Sequence, residues 1–414
     1  MLAMLAFTAC SSNNDEAVNT PQFWHVTLTA SMGDADTRAL IPNGNAITAS
    51  FAAGDKVKVL KSDGTEVGTL TAKTAGASTT LEGNISGTFS VNEELTCRYR
   101  SATANYDNQV GTLDGIAASQ DYAEGTLTVS ATDPLTFTST NVTLSPKQSI
   151  TKFSFTDGTN AISVKNFRII ATGLVQSIAT NGAETVGTVT GTLATASSAV
   201  YIALRNNVAG KQTYTFIVKD NAGNWHVGTK NAKLTNGNNY TATVALNSTL
   251  TSGSAEGTIG VVGGLPAIVV DLGGTIGKKA VALMNAGATW PEDYGTYHTF
   301  TALPYASPPS DDWYVPTQAE LIALAAKTNA WGTLNGVNGC TFTIGSNTLF
   351  LPTAGYYNNG FISVSSEGYY WSSTSYDEDE SYALLIDGYP TFIIQSVGWY
   401  KVDGLTVSPF HALP

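Results

Sequence analysis

Charge is what this sequence has least of. Asp, Glu, Lys and Arg make up 13% of its 414 residues, against about 25% in average soluble domains. The 20 basic side chains are outnumbered by 32 acidic ones, giving a formal charge of −12. A surface of that sign repels phosphate backbones and anionic lipid, which excludes a nucleic-acid partner. Long apolar runs are missing as well: no stretch reaches the roughly 18 residues that a bilayer-spanning helix needs. The 3 cysteines are Cys10, Cys97 and Cys340. Cys97 and Cys340 stand too far apart in the chain to suggest a disulfide framework, and both read as small buried hydrophobes. The 4 histidines, His25, His226, His298 and His411, are scattered, with no His-x-x-x-His spacing and no partnered Ser or Cys motif. No Walker loop occurs, and Gly263-Gly264 and Gly273-Gly274 lack the strand–turn–helix setting of a phosphate cradle. Catalytic residues, metal ligands and cofactors are therefore not expected, and the chain reads as a non-enzyme.

What is abundant is glycine, at 40 residues, together with Thr, Ser and Asn, a mixture that favours strands and turns over long helices. The length implies two or three domains. From Phe23 to about Leu246 short alternating runs follow one another. Trp24, Val26, Leu28 and Ala30 interleave with His25, Thr27 and Thr29, as a half-buried strand requires. Similar runs lie at Val57–Leu60, Val164–Ile170, Tyr201–Leu204, Tyr214–Val218 and Tyr240–Leu246, parted by turn signals such as Asp63-Gly64, Asp157-Gly158 and Asn236-Gly237-Asn238. The expected fold class is mainly β: two β-sandwiches over 22–145 and 146–247, a Ser/Thr/Gly linker at 248–256, and an α+β domain over 257–414. That last domain holds Trp290, Trp313, Trp331, Trp371 and Trp399 of the 7 tryptophans. It also holds the one evident helix start, where Pro316 precedes the capping box Thr317-Gln318-Ala319-Glu320 and Leu321, Leu324 and Ala325 follow at helical spacing.

The first ten residues, Met1 to Cys10, are apolar and small, and the chain turns polar at Ser11. This resembles a bacterial lipoprotein signal, residues 1–9 being removed, Cys10 lipidated and 10–21 left as a tether to the outer membrane. Asp15 and Glu16 look like an acidic surface-export tether. Phe51-Ala52-Ala53-Gly54-Asp55-Lys56-Val57 after Thr37-Arg38-Ala39, and Lys233 to Val244 at the close of the second sandwich, resemble the fimbrillin family of type V pilins over residues 20 to 247. That resemblance implies export as a lipoprotein, cutting after an arginine by a trypsin-like protease, and polymerisation with other pilus subunits when a partner strand fills the vacated groove. Arg38 is the candidate cleavage point and Ala39 the new N-terminus, in a polar segment expected to be an accessible loop; Arg38 reads equally well as an ordinary solvated arginine.

Gly264-Leu265-Pro266, Trp313 to Thr317 with Glu320-Leu321, Leu349 to Tyr356, and Tyr369 to Thr374 resemble a C-type-lectin-like domain of the major-paralogous-domain type. Trp313, Phe350 and Trp371 read as its core. No Glu-Pro-Asn, Gln-Pro-Asp or Trp-Asn-Asp motif is present, so calcium-dependent sugar binding is not implied. Asp377 to Glu380 reads as a solvated acidic tip. Formylglycine-generating oxidases share that fold and rely on two cysteines, of which this domain has Cys340 alone. From Gly355 onward Tyr and Trp interleave with Ser, Gly, Asn and Asp, the composition of recognition loops. Tyr370, Trp371 and Tyr382 read as core. Tyr376, Tyr389, Trp399 and Tyr400, beside Asp, Gly or Pro, are the candidate ligand-binding residues, expected on loops and facing a glycan or protein. The combined expectation is a cell-surface minor pilus subunit, a tip adhesin at the end of the fimbrium; the alternative is a surface lipoprotein that does not polymerise.

Overall fold

The structure, a computed structural model, describes residues 23–32, 38–43, 46–286, 295–305, 312–334, 336–388 and 393–414; for 38–43, 46–49 and 393 it describes the backbone alone. Strands dominate. In the first, β1 (Phe23–Met32), Val26, Leu28 and Ala30 are buried while His25, Thr27 and Thr29 face out, because alternate side chains of an extended chain point to opposite faces. The N-terminal body continues with β2 (Arg38–Asn43), β3 (Ala46–Ala49), β4 (Lys56–Leu60), β5 (Glu66–Ala72), β6 (Ser78–Ser86), β7 (Glu94–Tyr99), β8 (Ala104–Asn105), β9 (Ala123–Thr132), β10 (Leu135–Phe137) and β11 (Asn141–Pro146). β2 and β3 form their own hairpin, and β8 pairs with the strand Val175–Ile178. The others run in the order β10-β9-β11-β1-β6-β5-β4-β7, and β9 also pairs with β7, so the ladder closes around the first core. β9 changes partner at Gly125, where a Cβ would lie 2.5 Å from the Thr143 carbonyl oxygen.

The second body packs two sheets face to face. One is Ala199–Leu204, Ser149–Thr156 and Asn239–Ala245; the other is Val189–Ser197, Val164–Ile170, Gln212–Asp220 and Trp225–Ala232. Phe153, Phe155 and Phe216 fill the space between them in edge and stacked contacts, an arrangement aromatic quadrupoles favour. A short helix, α1 (Leu113–Ser119), buries Leu113 and Ile116 against this core, with Thr112 Oγ1 accepting from the Gly115 N–H at its start.

Arg98 joins the two bodies. Its side chain is 4% exposed and donates to Glu124 at 2.8 Å, to the Ala102 carbonyl, and to the Ala179 and Thr180 carbonyls of the second body. Burial pushes the Glu124 carboxyl up, but the Tyr122 hydroxyl, Lys147 and Arg98 outweigh it and hold the group below its ordinary value, the usual result of pairing a buried anion.

The C-terminal body is built on a five-stranded sheet, Ile259–Val262, Leu265–Asp271, Lys278–Ala282, Phe410–Ala412 and Trp313–Tyr314. Two three-stranded sheets and α2 (Gln318–Ala325) pack with it. The expected capping box is present: Thr317 Oγ1 accepts from the Glu320 N–H, and Glu320 Oε2 accepts from the Thr317 N–H. Trp313 and Trp371 are buried, as is Tyr370, whereas Phe350 and Tyr382 are half-exposed. Segment 248–256, the Ser/Thr/Gly linker, is tied to its surroundings. Leu250 is buried, the Leu250 N–H donates to the Val261 carbonyl, the Ser252 N–H donates to Pro414, and Glu256 pairs with Lys327 at 2.7 Å. Ile217 and Val227 of the second body share one core with Ile259, Ile268 and Val281 of the third, so the apolar residues on either side of the linker hold it down. Cys97 and Cys340 are free and wholly buried, and burial pushes both thiols up to about 12. Among the described residues no helix is long and apolar enough to cross a membrane.

Candidate functional site

Two places in the molecule hold the residues singled out by the sequence. The first is the slot that β1 occupies. β6 pairs with it antiparallel along nearly its whole length, from Phe23↔Ser86 to Ser31↔Ser78, and β11 pairs with it in parallel from Thr29↔Asn141 to Met32↔Leu144. Val26 is 4% exposed, Leu28 2% and Ala30 0%, and Trp24 lies edge-on to Phe89 at 5.4 Å. On the outer face His25 meets Glu82 at 2.9 Å and Asn84 at 3.1 Å, contacts that raise its pKa above the ordinary imidazole value, the Asn84 hydrogen bond foremost. The strand thus contributes inward anchors and outward polar contacts at once, and it is continuous with the core on one face only.

Arg38 and Ala39 open β2, with Arg38 opposite Ala49. The accessible loop expected at Arg38 is therefore a strand, paired with Ala46–Ala49. Residues 33–37 lie outside the described residues, as does Cys10.

The second place is one end of the C-terminal body. The strands Glu367–Ser375, Glu380–Asp387 and Ile393–Tyr400 form a meander. Tyr376 follows the first strand and is 55% exposed, with its ring 5.1 Å from Tyr382; Tyr400, 59% exposed, sits opposite Glu380. The Tyr376 N–H donates to the Glu380 carbonyl, so these two tyrosines share one end of the sheet. Trp399 and Tyr400 belong to a strand, not to the loop expected for them. Trp399 is half-buried with its ring 4.2 Å from Tyr369 and 5.0 Å from Tyr356, because strand alternation turns it inward while its neighbour faces water. Tyr389 lies outside the described residues.

The acidic run closes on itself. Asp377 accepts from the N–H groups of Asp379 and Glu380, and the Lys401 ammonium donates to the carbonyls of Asp377 and Glu378. Among the described residues no group of three or more His, Cys, Asp or Glu side chains is placed to hold a metal ion.

Sequence reasoning passed over a second aromatic group beside this one. Tyr356–Tyr357 and Phe361–Ile362 form a small hairpin, with Tyr356↔Ile362 and Tyr357↔Phe361 in register. The signal was in the sequence: Asn358-Asn359-Gly360 between two apolar pairs is turn chemistry. Tyr356 faces inward onto Tyr369 and Trp399, and Phe361 and Tyr357 face water.

No protein-family model matches the chain, and no curated protein matches it significantly in sequence. Among solved structures, a fimbrial assembly protein from Parabacteroides distasonis is similar at 13% identity, with a TM-score of 0.27, over 60% of this chain and 96% of that one. The tip fimbrial protein Mfa3 from Porphyromonas gingivalis is similar at 9% identity, with a TM-score of 0.26, over 50% of this chain and 81% of that one.

Proposed function

We propose that this chain is a cell-surface pilus subunit that accepts a strand from a neighbouring subunit in place of β1 and ends the fibre with a ligand-binding body. The observation that carries the reading is the position of β1 within its sheet. Cutting after Arg38 would release the one strand whose loss uncovers both the β6 edge and the inward faces of the first core, and only another strand restores those hydrogen bonds and that burial together. Strand Phe410–Ala412 lies inside the five-stranded sheet, between Lys278–Ala282 and Trp313–Tyr314, with Phe410 and His411 buried. Giving that strand away would open the C-terminal core, so in this reading it stays with its own subunit. In this reading Cys10 carries the lipid that holds the precursor at the outer membrane. The body after residue 257 meets a glycan or protein through its aromatic end, and the molecule binds without catalysing. An uncut chain keeps a complete sheet, and that favours the second reading, a surface lipoprotein that does not polymerise.

An arginine-specific protease acting on the full chain tests the choice. A new N-terminus at Ala39, followed by uptake of a synthetic peptide spanning residues 22 to 32, is the expected result. A cut chain that takes up no peptide, or an Arg38→Ala chain that enters fibres normally, refutes strand acceptance.

A further inference from the structure

We infer that the hairpin Tyr356–Ile362, with Tyr297 beside it, is a binding platform for an uncharged sugar ring. The inference rests on the adhesin reading above and gives that reading a ligand class and a place. Phe361 is 67% exposed and Tyr357 46%. The Phe361 ring lies 5.2 Å from Tyr297 and 5.4 Å from Tyr357, the second pair crossing at 68°, so the rings form a corner with two apolar walls. Isolated exposed apolar side chains are ordinary; several grouped on a rigid mount mark a contact surface.

The mount is rigid. The Tyr357 N–H donates to the Gly404 carbonyl and the Gly404 N–H donates to the Tyr357 carbonyl, both at 2.8 Å, and Tyr297 Oη donates to the Ala354 carbonyl. Gly355 has φ +68°, and a Cβ there would fall 2.1 Å from the Ile362 carbonyl oxygen. Rings already held in place lose little freedom when a ligand arrives.

Polar chemistry sits at the tip. Asn358 and Asn359 are exposed, and Asn359 Nδ2 donates to Asn358 Oδ1 at 3.2 Å, which leaves most of the two amides' donor and acceptor capacity open to hydroxyl groups. Residues 328–366 contain no Asp, Glu, Lys, Arg or His, in a chain of net charge −12. The hairpin itself therefore carries no charged side chain to pair with a phosphate, a carboxylate or an ammonium group. A stable protein interface needs about 800 Å² from each partner, whereas three rings and two amides match one or two pyranose rings. An aliphatic C–H face against the rings and hydroxyls on the amides satisfy every group present.

Calorimetric titration of the full chain with cellohexaose, maltohexaose and mannohexaose, and with hexagalacturonate as the acidic counterpart, tests the assignment. At least one neutral hexasaccharide should bind, hexagalacturonate should bind more weakly, and Phe361→Ala and Tyr357→Ala should each weaken binding at least tenfold at an unchanged melting temperature. Binding of none of the neutral sugars, tightest binding of hexagalacturonate, or wild-type binding by Phe361→Ala overturns it. Peptide uptake into the β1 slot is measured on the same preparations. A chain that takes up the strand and binds no sugar loses this inference and keeps the pilus reading, and one that binds sugar through Phe361 yet takes up no strand does the reverse.

Discussion

Leu28→Ala separates a structural strand from an exchangeable one, because the same lost contacts are read in two different equilibria. Leu28 is 2% exposed and stands between Val26 and Ala30 on the inward face of β1. Truncating a buried leucine costs about 2–5 kcal/mol. In the uncut chain that cost lowers the stability of the N-terminal body, which for a domain of ordinary stability, about 5–15 kcal/mol, is a large fraction. After a cut at Arg38 the strand is a ligand, and the same cost appears as a dissociation constant raised roughly 30-fold to several thousand-fold. Thr27, next to it, faces water, and Thr27→Ala should change either quantity by less than about 0.5 kcal/mol. The assay is exchange of a fluorescent peptide covering residues 22–32 with the Leu28 or Thr27 substitution, beside thermal melts of the uncut variants. Equal exchange rates for the two peptides, with the expected loss of stability in the uncut Leu28→Ala chain, would show that β1 is buried but not replaceable, and strand acceptance would be wrong.

Arg98→Ala should uncouple the first two bodies: the Ala179 and Thr180 carbonyls of the second body lose their donor, and a loss of about 1–3 kcal/mol should split one unfolding transition into two in calorimetry. The acid limb of stability should depend on Asp220. Burial raises its pKa, but hydrogen bonds from His226, from the Asn224 side chain and backbone and from the Ala222 N–H bring it down to about 2. A carboxyl depressed on folding stabilises fully above its unfolded value near 3.8 and loses that contribution as pH falls toward 2, so Asp220→Ala should flatten the melting-temperature curve between those limits and leave it unchanged in slope near neutrality. His25 behaves oppositely. Its raised pKa gives a contribution that is complete below about 6.5 and fades as pH rises past the folded value, and His25→Asn should remove that slope from peptide exchange at the β1 slot. Trp371, wholly buried with Nε1 donating to the His298 carbonyl at 2.6 Å, should cost about 3–5 kcal/mol on truncation to Ala; half-buried Trp399 should cost less, and a Trp399→Ala melt equal to that of Trp371→Ala would contradict its placement.

The alternation in β1 and the capping box at Thr317 were legible because each is written in adjacent residues. The partners of β1 were not: β6 begins some fifty residues later and β11 more than a hundred, and no local pattern names a distant neighbour. α1 went unread because Gly115 sits in its first turn and only Leu113 and Ile116 mark its buried face. Trp399 was misplaced for a similar reason. Gly398 suggested a turn, yet the residue is in a strand opposite Tyr382, and a side chain there would meet Glu380 Oε2 at 2.5 Å and the Tyr376 ring at 3.5 Å. That glycine makes room for a neighbour and does not bend the chain.

The way β1 lies in its sheet also sets how a fibre would bear tension. A strand seated antiparallel along β6 for nine paired residues, and parallel along β11 for its last four, has its bonds to β6 at right angles to its own axis and those to β11 slanted across it. A pull on either end of such a strand runs lengthwise and loads the ladder in shear, so the bonds share the force and none is peeled first. The same strand lifted sideways would open one bond at a time. A linkage of this kind yields late to traction along the fibre and early to a lateral wedge, and its strength grows with the length of strand inserted.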